Sequence, residues 1–322
     1  MSAPASSEAV AALEAFIGAE LAADTMPEVR AMAAALAERA GGHAIGVLFY
    51  GSALRTRDLD GLLDFYVLLD DPHGWDQGSI AARANAALPP NVEYFEMAVD
   101  GVDLRSKVAI LTLEQFRKHA GRETLDTTIW ARFTQPCALA WVRDGARDEG
   151  RQAVASAVAI AAETAAWWAA GLGPERGTAT DFWEALFRET YASELRVESK
   201  GRGNEIVRSA QARYERLLPL AWAAGGVAFR EEGEGILAPV LPAEERGAVR
   251  AKWKRRRLVA KPLNALRLAK ASFTFAGGAD YIAWKIERHS GVRLDLTPWQ
   301  RRHPILASGS ILWRLWRQGV LR

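Results

Sequence analysis

The sequence predicts an α+β fold. Short apolar runs bounded by turn residues are confined to positions 44–145. Ala-rich stretches with helical spacing lie before and after them. The last quarter has a different composition, mixing tryptophan with arginine and lysine. Runs of four to eight apolar residues between turn signals read as strands, whereas a 3.6-residue period over ten or more reads as helix.

Residues 7–40 are rich in Ala and Glu and predict two helices broken near "DTMPE". "HAIGVLFYGS" is a strand running into a tight turn, and "LLDFYVLL" is a second strand closed by "DDPHGW". "GSIAARANAAL" is a short helix. "VEYFEMAV" and "VDLRSKVAILT" flank a "DG" dipeptide, the signal for a two-residue hairpin. "LEQFRKHA" is a helix, and "TIWARFTQPCALAWV" passes from helix through Pro136 into a strand. The charged cluster at 143–151 reads as a boundary. Beyond it three helices are expected, in "QAVASAVAIAAETAAWWAAGL", in "TATDFWEALFRETYASELR" with a cap at Thr180 or Asp181, and in "GNEIVRSAQARYERLLPLAWAAG". The expected division is 1–148, 149–250 and 251–322.

Of the 322 residues, 49% are apolar and 25% charged, ordinary values for a soluble globular chain. Cys137 stands alone, which excludes an intramolecular disulfide and a cysteine-rich zinc cluster and suits a reducing compartment. No run of about eighteen uncharged apolar residues predicts a membrane span. The first residues carry neither a basic region before an apolar core nor arginine, so no targeting segment is expected. The net charge of +2 conceals an asymmetry. From Arg250 onward there are 17 Lys and Arg against 3 Asp and Glu, and before it 24 against 36. A basic end of this kind predicts an acidic partner.

The chemistry is expected between Tyr50 and Trp75. A strand ending in Gly51-Ser52 is followed twelve residues later by Asp64, a lone carboxylate in an apolar run. A buried carboxylate costs several kcal/mol unless it finds a proton or a partner, and a metal ion is one partner. Gly51 allows backbone to approach a phosphate closely. Ser52 offers a hydroxyl and an N–H. Carboxylates can hold Mg²⁺ against a triphosphate. This is the layout of the polymerase β-like nucleotidyltransferase fold. Its usual second carboxylate, two residues on, is replaced by Tyr66, so Asp58 or Asp60 before the strand, or Glu96 on the third strand, is expected to complete the metal set. Asp70 would lie roughly 20 Å from Asp64 along the strand.

The run "YGSALRTRDLDGLLDFYVLLDDPHGW" resembles the mitochondrial translocator assembly and maintenance protein 41 family, peripheral phosphatidate cytidylyltransferases. "GVDLRSKVAILT", "TTIWARFTQPC", "TYASELRV" and "NEIVRSAQARYERL" are similar, in order, to further segments of that family, over roughly residues 47–285. The resemblance implies roles for Lys107 on the nucleotide phosphates and for Arg132, Glu194 and Arg196 in nucleotide binding. It implies Mg²⁺ as cofactor, and CTP and phosphatidic acid as substrates. "YGSA" stands where the family has "YGSG", and Gln135 where it has lysine.

Trp253, Trp284, Trp299, Trp313 and Trp316 alternate with basic residues, which suits an anionic membrane surface. No nucleic-acid motif is found. The expectation is a cytoplasmic enzyme, peripheral on the inner face of the membrane: a nucleotidyltransferase domain, a helical domain and a basic amphipathic tail. A nucleotidyltransferase with a soluble acceptor, and a non-catalytic binding protein of the same fold, are the alternatives.

Overall fold

The computed structural model describes residues 6–145, 147–193, 202–274, 277–290 and 293–302. Helices α1 (Ser7–Leu21) and α2 (Pro27–Arg39) lead into β1 (Ala44–Tyr50), α3 (Ser52–Thr56) and β2 (Leu62–Leu69). Then come α4 (Gly78–Ala87), β3 (Asn91–Val99), β4 (Val102–Thr112), α5 (Leu113–Ala120), α6 (Trp130–Phe133) and β5 (Cys137–Val142). The second half holds α7 (Arg147–Leu172), β6 (Gly177–Thr178), α8 (Ala179–Ser193), α9 (Arg202–Arg208) and α10 (Gln211–Ala224). It ends with β7 (Phe229–Glu231), β8 (Ile236–Pro239), α11 (Ala243–Thr274), α12 (Gly278–Ser290) and α13 (Pro298–Arg302).

The main sheet runs β3-β4-β2-β1-β5. Only β2 and β4 are parallel neighbours. The hairpin is closed by Asp100 and Gly101, both at positive φ (50° and 81°), the conformation that favours Asp-Gly in such a turn. Because side chains alternate across the sheet, each face has its own core. Val47, Phe49, Phe65, Val67 and Val108 pack under α2. Leu48, Tyr66, Leu68, Ala109 and Leu111 face the helical half and share one apolar cluster with α1, α7 and α10.

Helix α7 is long and apolar enough to span a membrane, yet 72% of its apolar window is buried by the surrounding protein. It is the central helix of the second layer. Its alanines allow close approach of α1, α5, α6, α8 and α10. It begins at Arg147, so the charged cluster read as a boundary supplies its first turn rather than a linker. The cap of α8 is Thr178, not Thr180 or Asp181. Its hydroxyl accepts from the Asp181 N–H at 3.3 Å while the Asp181 carboxylate accepts from the Thr178 N–H at 2.8 Å. Strands do not stop near 145: β6, β8 and β7 form a small second sheet.

α1 is fastened late in the chain. Arg213 on α10 donates two bonds to Glu20, at 2.6 and 3.0 Å, and a third to the Thr134 carbonyl at 2.7 Å. Leu13, Ile17 and Leu21 are buried behind this contact.

The start of the basic region is packed on the body. Trp253 is only 2% exposed and sits against Trp168 and Trp130, with ring centroids 5.0 and 6.3 Å away. Arg256 lies over Trp168 at 4.4 Å and donates to the carbonyls of Arg122 and Thr124. Arg267 forms a buried pair with Asp126. Lys270 donates to the carbonyls of Leu88 and Pro90, both at 2.6 Å. Trp253 is therefore a core residue rather than an interfacial one. Trp313 and Trp316 lie outside the described residues.

Candidate active site

The register of the main sheet builds one row of side chains: Tyr94, Lys107, Asp64, Tyr50 and Cys137 are successive partners from β3 to β5. Direct partners share a face, so Asp64 and Lys107 stand side by side on the face toward the helical layer. Asp64 is half-buried, not enclosed, because it sits three residues into β2 where the sheet opens. Lys107 is exposed.

Gly51 closes β1 and faces that carboxylate. Its φ of 96° and ψ of −162° belong to glycine. A Cβ placed there would lie 3.0 Å from Asp64 Oδ2. The bare backbone therefore leaves open the space beside the carboxylate. Ser52 is exposed at the start of α3, and Arg55, one turn later, donates to the Gly51 carbonyl at 3.4 Å.

Tyr66 takes the position of the usual second carboxylate. It is 2% exposed and stacks edge-on to Phe133 at 4.8 Å and to Tyr50 at 5.5 Å. Burial pushes its phenol up, against the opposing charge and bond of Arg132. Arg132 donates to the Tyr66 hydroxyl at 3.3 Å and to the Thr128 carbonyl at 3.1 Å. Its guanidinium lies 6.0 Å from the centre of the Tyr50 ring. With Gln135, Phe187, Thr190 and Tyr191 it lines a small cleft between α6 and α8. Arg132 thus lies beside Tyr50, the partner of Asp64 on β1, and shares a cleft with the Tyr191 segment. Glu194 and Arg196 lie outside the described residues.

The expected metal carboxylates do not form a cage. Among the described residues, no three His, Cys, Asp or Glu side chains converge. Glu96 shares the face of Asp64 but stands two strands away, roughly 10 Å across the sheet at ~4.8 Å per strand. It accepts from the Tyr94 hydroxyl at 2.5 Å and lies 3.6 Å from Arg105. Asp60 is exposed in the loop before β2, where its N–H bonds Asp58 at 2.9 Å. Asp70, at the far end of β2, is held by His43 and Arg143. Glu93 lies on the opposite face, bonded to Trp75 and paired with Arg39.

One wall of the site was not anticipated. Helix α12 packs along β3, with Tyr281 against Tyr94 at 5.7 Å and Trp284 beneath Arg105 at 5.9 Å. Arg288 lies over the Trp284 ring at 5.4 Å and donates to the Asp60 carbonyl at 2.9 Å. Arg105 was legible in principle, two residues before Lys107 and so on its face. Trp284 and Arg288 carry no local signal that assigns them to this sheet.

No family model matches the chain, and no curated protein does. A solved structure of a nucleotidyltransferase-like protein from Exiguobacterium sibiricum 255-15 is similar at 12% identity and a TM-score of 0.27, over 92% of this chain and 93% of that one. The α+β class stands on the chain's own sheet and its helical layers.

Proposed function

We propose that the chain is a magnesium-dependent nucleotidyltransferase that joins CTP to phosphatidic acid, giving CDP-diacylglycerol and pyrophosphate at the inner face of the membrane. The observation that carries this reading is the side-chain-free Gly51 facing the Asp64 carboxylate, with Lys107 on the next strand. Close backbone approach, one carboxylate and one cation are what a triphosphate needs.

A lone carboxylate suits Mg²⁺ brought in by the nucleotide, since that ion binds through one or two carboxylates plus phosphate oxygens and keeps several waters. Asp64 would hold it, and when bound it offsets charge on the phosphates. Gly51 and Ser52 would cradle the triphosphate. Lys107 would neutralise the charge that grows on the leaving pyrophosphate. Arg132, oriented by Tyr66 and the Thr128 carbonyl, would bind the nucleotide at the α6–α8 cleft. The acceptor is a phosphate monoester, whose oxygen is already a nucleophile at neutral pH. It attacks the α-phosphorus, the bond to the bridging oxygen breaks, and no strong general base is required. The lipid acceptor rests on the family resemblance and on the basic C-terminal region.

A soluble phosphate acceptor is the second reading. It is favoured by α11, where Arg256, Arg267 and Lys270 are engaged with the protein itself. One assay separates the two: pyrophosphate release with each nucleoside triphosphate and Mg²⁺, with phosphatidic acid in mixed micelles or with water-soluble phosphate monoesters. Release that requires both CTP and the lipid supports the first reading. Lipid-independent turnover supports the second, and absence of Mg²⁺-dependent nucleotide binding refutes both.

A further inference from the structure

A second cluster of cations lies at the other end of α11. An open groove of about 650 Å³ runs between the small sheet and the start of that helix. Arg230 from β7 and Arg246 and Arg250 from α11 line it, against one carboxylate, Glu175. Val240 and Leu241 form an apolar side, and Val240 is 46% exposed.

Two of these guanidiniums are held from behind. Arg246 donates to the carbonyls of Gly173 and Pro174 at 3.1 and 3.3 Å, and Arg250 to that of Gly171 at 3.4 Å. These carbonyls end α7, so both arginines sit at the negative end of a 26-residue helix. That capping role accounts for their anchoring. It does not account for Arg230, which is exposed on a separate sheet, or for the apolar side. Anchoring spends only part of the five donors each guanidinium carries. Burial and the nearby charge of Arg250 lower the pKa of Arg246, against Glu175, so a bound anion would relieve a crowded positive site.

We infer that this groove is a binding site for a phosphoryl group borne on an apolar body, gripped by Arg230, Arg246 and Arg250 with the body against Val240 and Leu241. Arginine suits such a ligand because its planar fork matches phosphate oxygens in pairs. The groove shares no lining residue with the cleft that holds Arg132 beside the Asp64 row. The inference does not depend on the reaction proposed above.

Two probes separate a phosphoryl group on an apolar body from free phosphate. Calorimetric titrations of the full-length protein use inorganic phosphate and, separately, dihexanoyl phosphatidate below its micelle concentration. The proteins are wild type, Arg230→Gln and Arg230→Gln/Arg250→Gln, with CTP affinity measured on each. Arg230 is exposed, so the single variant keeps the test valid if the double variant fails to fold. The expected result is weakening by at least about tenfold, the scale of a lost charge-assisted hydrogen bond, with CTP affinity unchanged. Weakening of both probes, with phosphatidate the tighter of the two in wild type, supports the site as inferred, and equal wild-type affinities for the two probes overturn its apolar part. Wild type that binds neither probe, or variants that bind both as wild type does, overturns the site.

Discussion

Replacing Gly51 by alanine tests whether the turn is a phosphate cradle. The φ of 96° with ψ of −162° lies where essentially only glycine rests, so any side chain costs about 1–3 kcal/mol. The new Cβ also meets Asp64, 3.0 Å from Oδ2 and 3.7 Å from its Cβ. Rotation of the carboxylate relieves the first contact, and that rotation moves the group proposed to hold the metal. Relief takes a few tenths of an ångström, and since a full ångström costs roughly a hundredfold in rate, a loss of about three- to tenfold is expected. Gly41→Ala is the control: φ is 58°, nothing lies within 4 Å of the added methyl, and the backbone strain alone costs about 1–2 kcal/mol. Urea unfolding, CTP calorimetry and pyrophosphate release are measured on both. Both variants should lose stability, and only Gly51→Ala should lose nucleotide affinity and turnover. A folded Gly51→Ala protein with wild-type turnover would show that Gly51-Ser52 is a turn and nothing more.

Asp64→Asn should abolish Mg²⁺-dependent turnover while leaving the urea midpoint nearly unchanged, and near-normal pyrophosphate release would refute its role. Arg267→Met strands the buried Asp126 carboxylate and should cost about 3–5 kcal/mol, with Asp126→Asn restoring part of it; unfolding of the single and double variants checks this. Burial pushes the Asp126 carboxyl up, but bonds from Arg267 and Thr128 outweigh it and hold the group below its ordinary 3.8. Its contribution is therefore complete above pH 3.8 and disappears as pH falls through the lower folded value, so acid unfolding of Arg267→Met should begin at higher pH than that of wild type. Burial, aided by the charge of Arg267, pulls Lys270 down to about 8 from 10.5. The unfolded chain holds this proton between those values and the folded one does not, so stability should rise with pH across that window and flatten in Lys270→Met. Deleting residues 303–322 removes Arg314, Arg317 and Arg322, worth about 3 kcal/mol on an anionic surface. Vesicle co-sedimentation at low salt should weaken, and unchanged binding would leave this segment without a membrane role.

The main sheet was legible because its signals are local. The short apolar run "LLDFYVLL", the Asp100-Gly101 turn and the stop at Gly51 each fix a strand without reference to distant residues. The row that places Asp64 beside Lys107 needed the parallel pairing of β2 with β4, which no short window states. The second sheet was missed because strands of two to four residues carry no period. The start of the basic region misled because composition was taken for exposure. Arg256 is 3% exposed, and the aromatic faces of Trp130, Trp168 and Trp253 around it are invisible to a charge count. Glu96 could be placed on the correct face by its period. Its distance from Asp64 depended on strand order.

The pairing of Glu20 with Arg213 has a consequence for the newborn chain. Its partners are separated by 193 residues. At about 5–20 residues per second, Glu20 is made roughly 10–40 s before Arg213. Until α7 and then α10 are made, Leu13, Ile17 and Leu21 lack the helices that cover them. A cell making this protein therefore displays the apolar stripe of α1 on every nascent copy until those helices arrive, and that delay is the working time open to ribosome-bound chaperones.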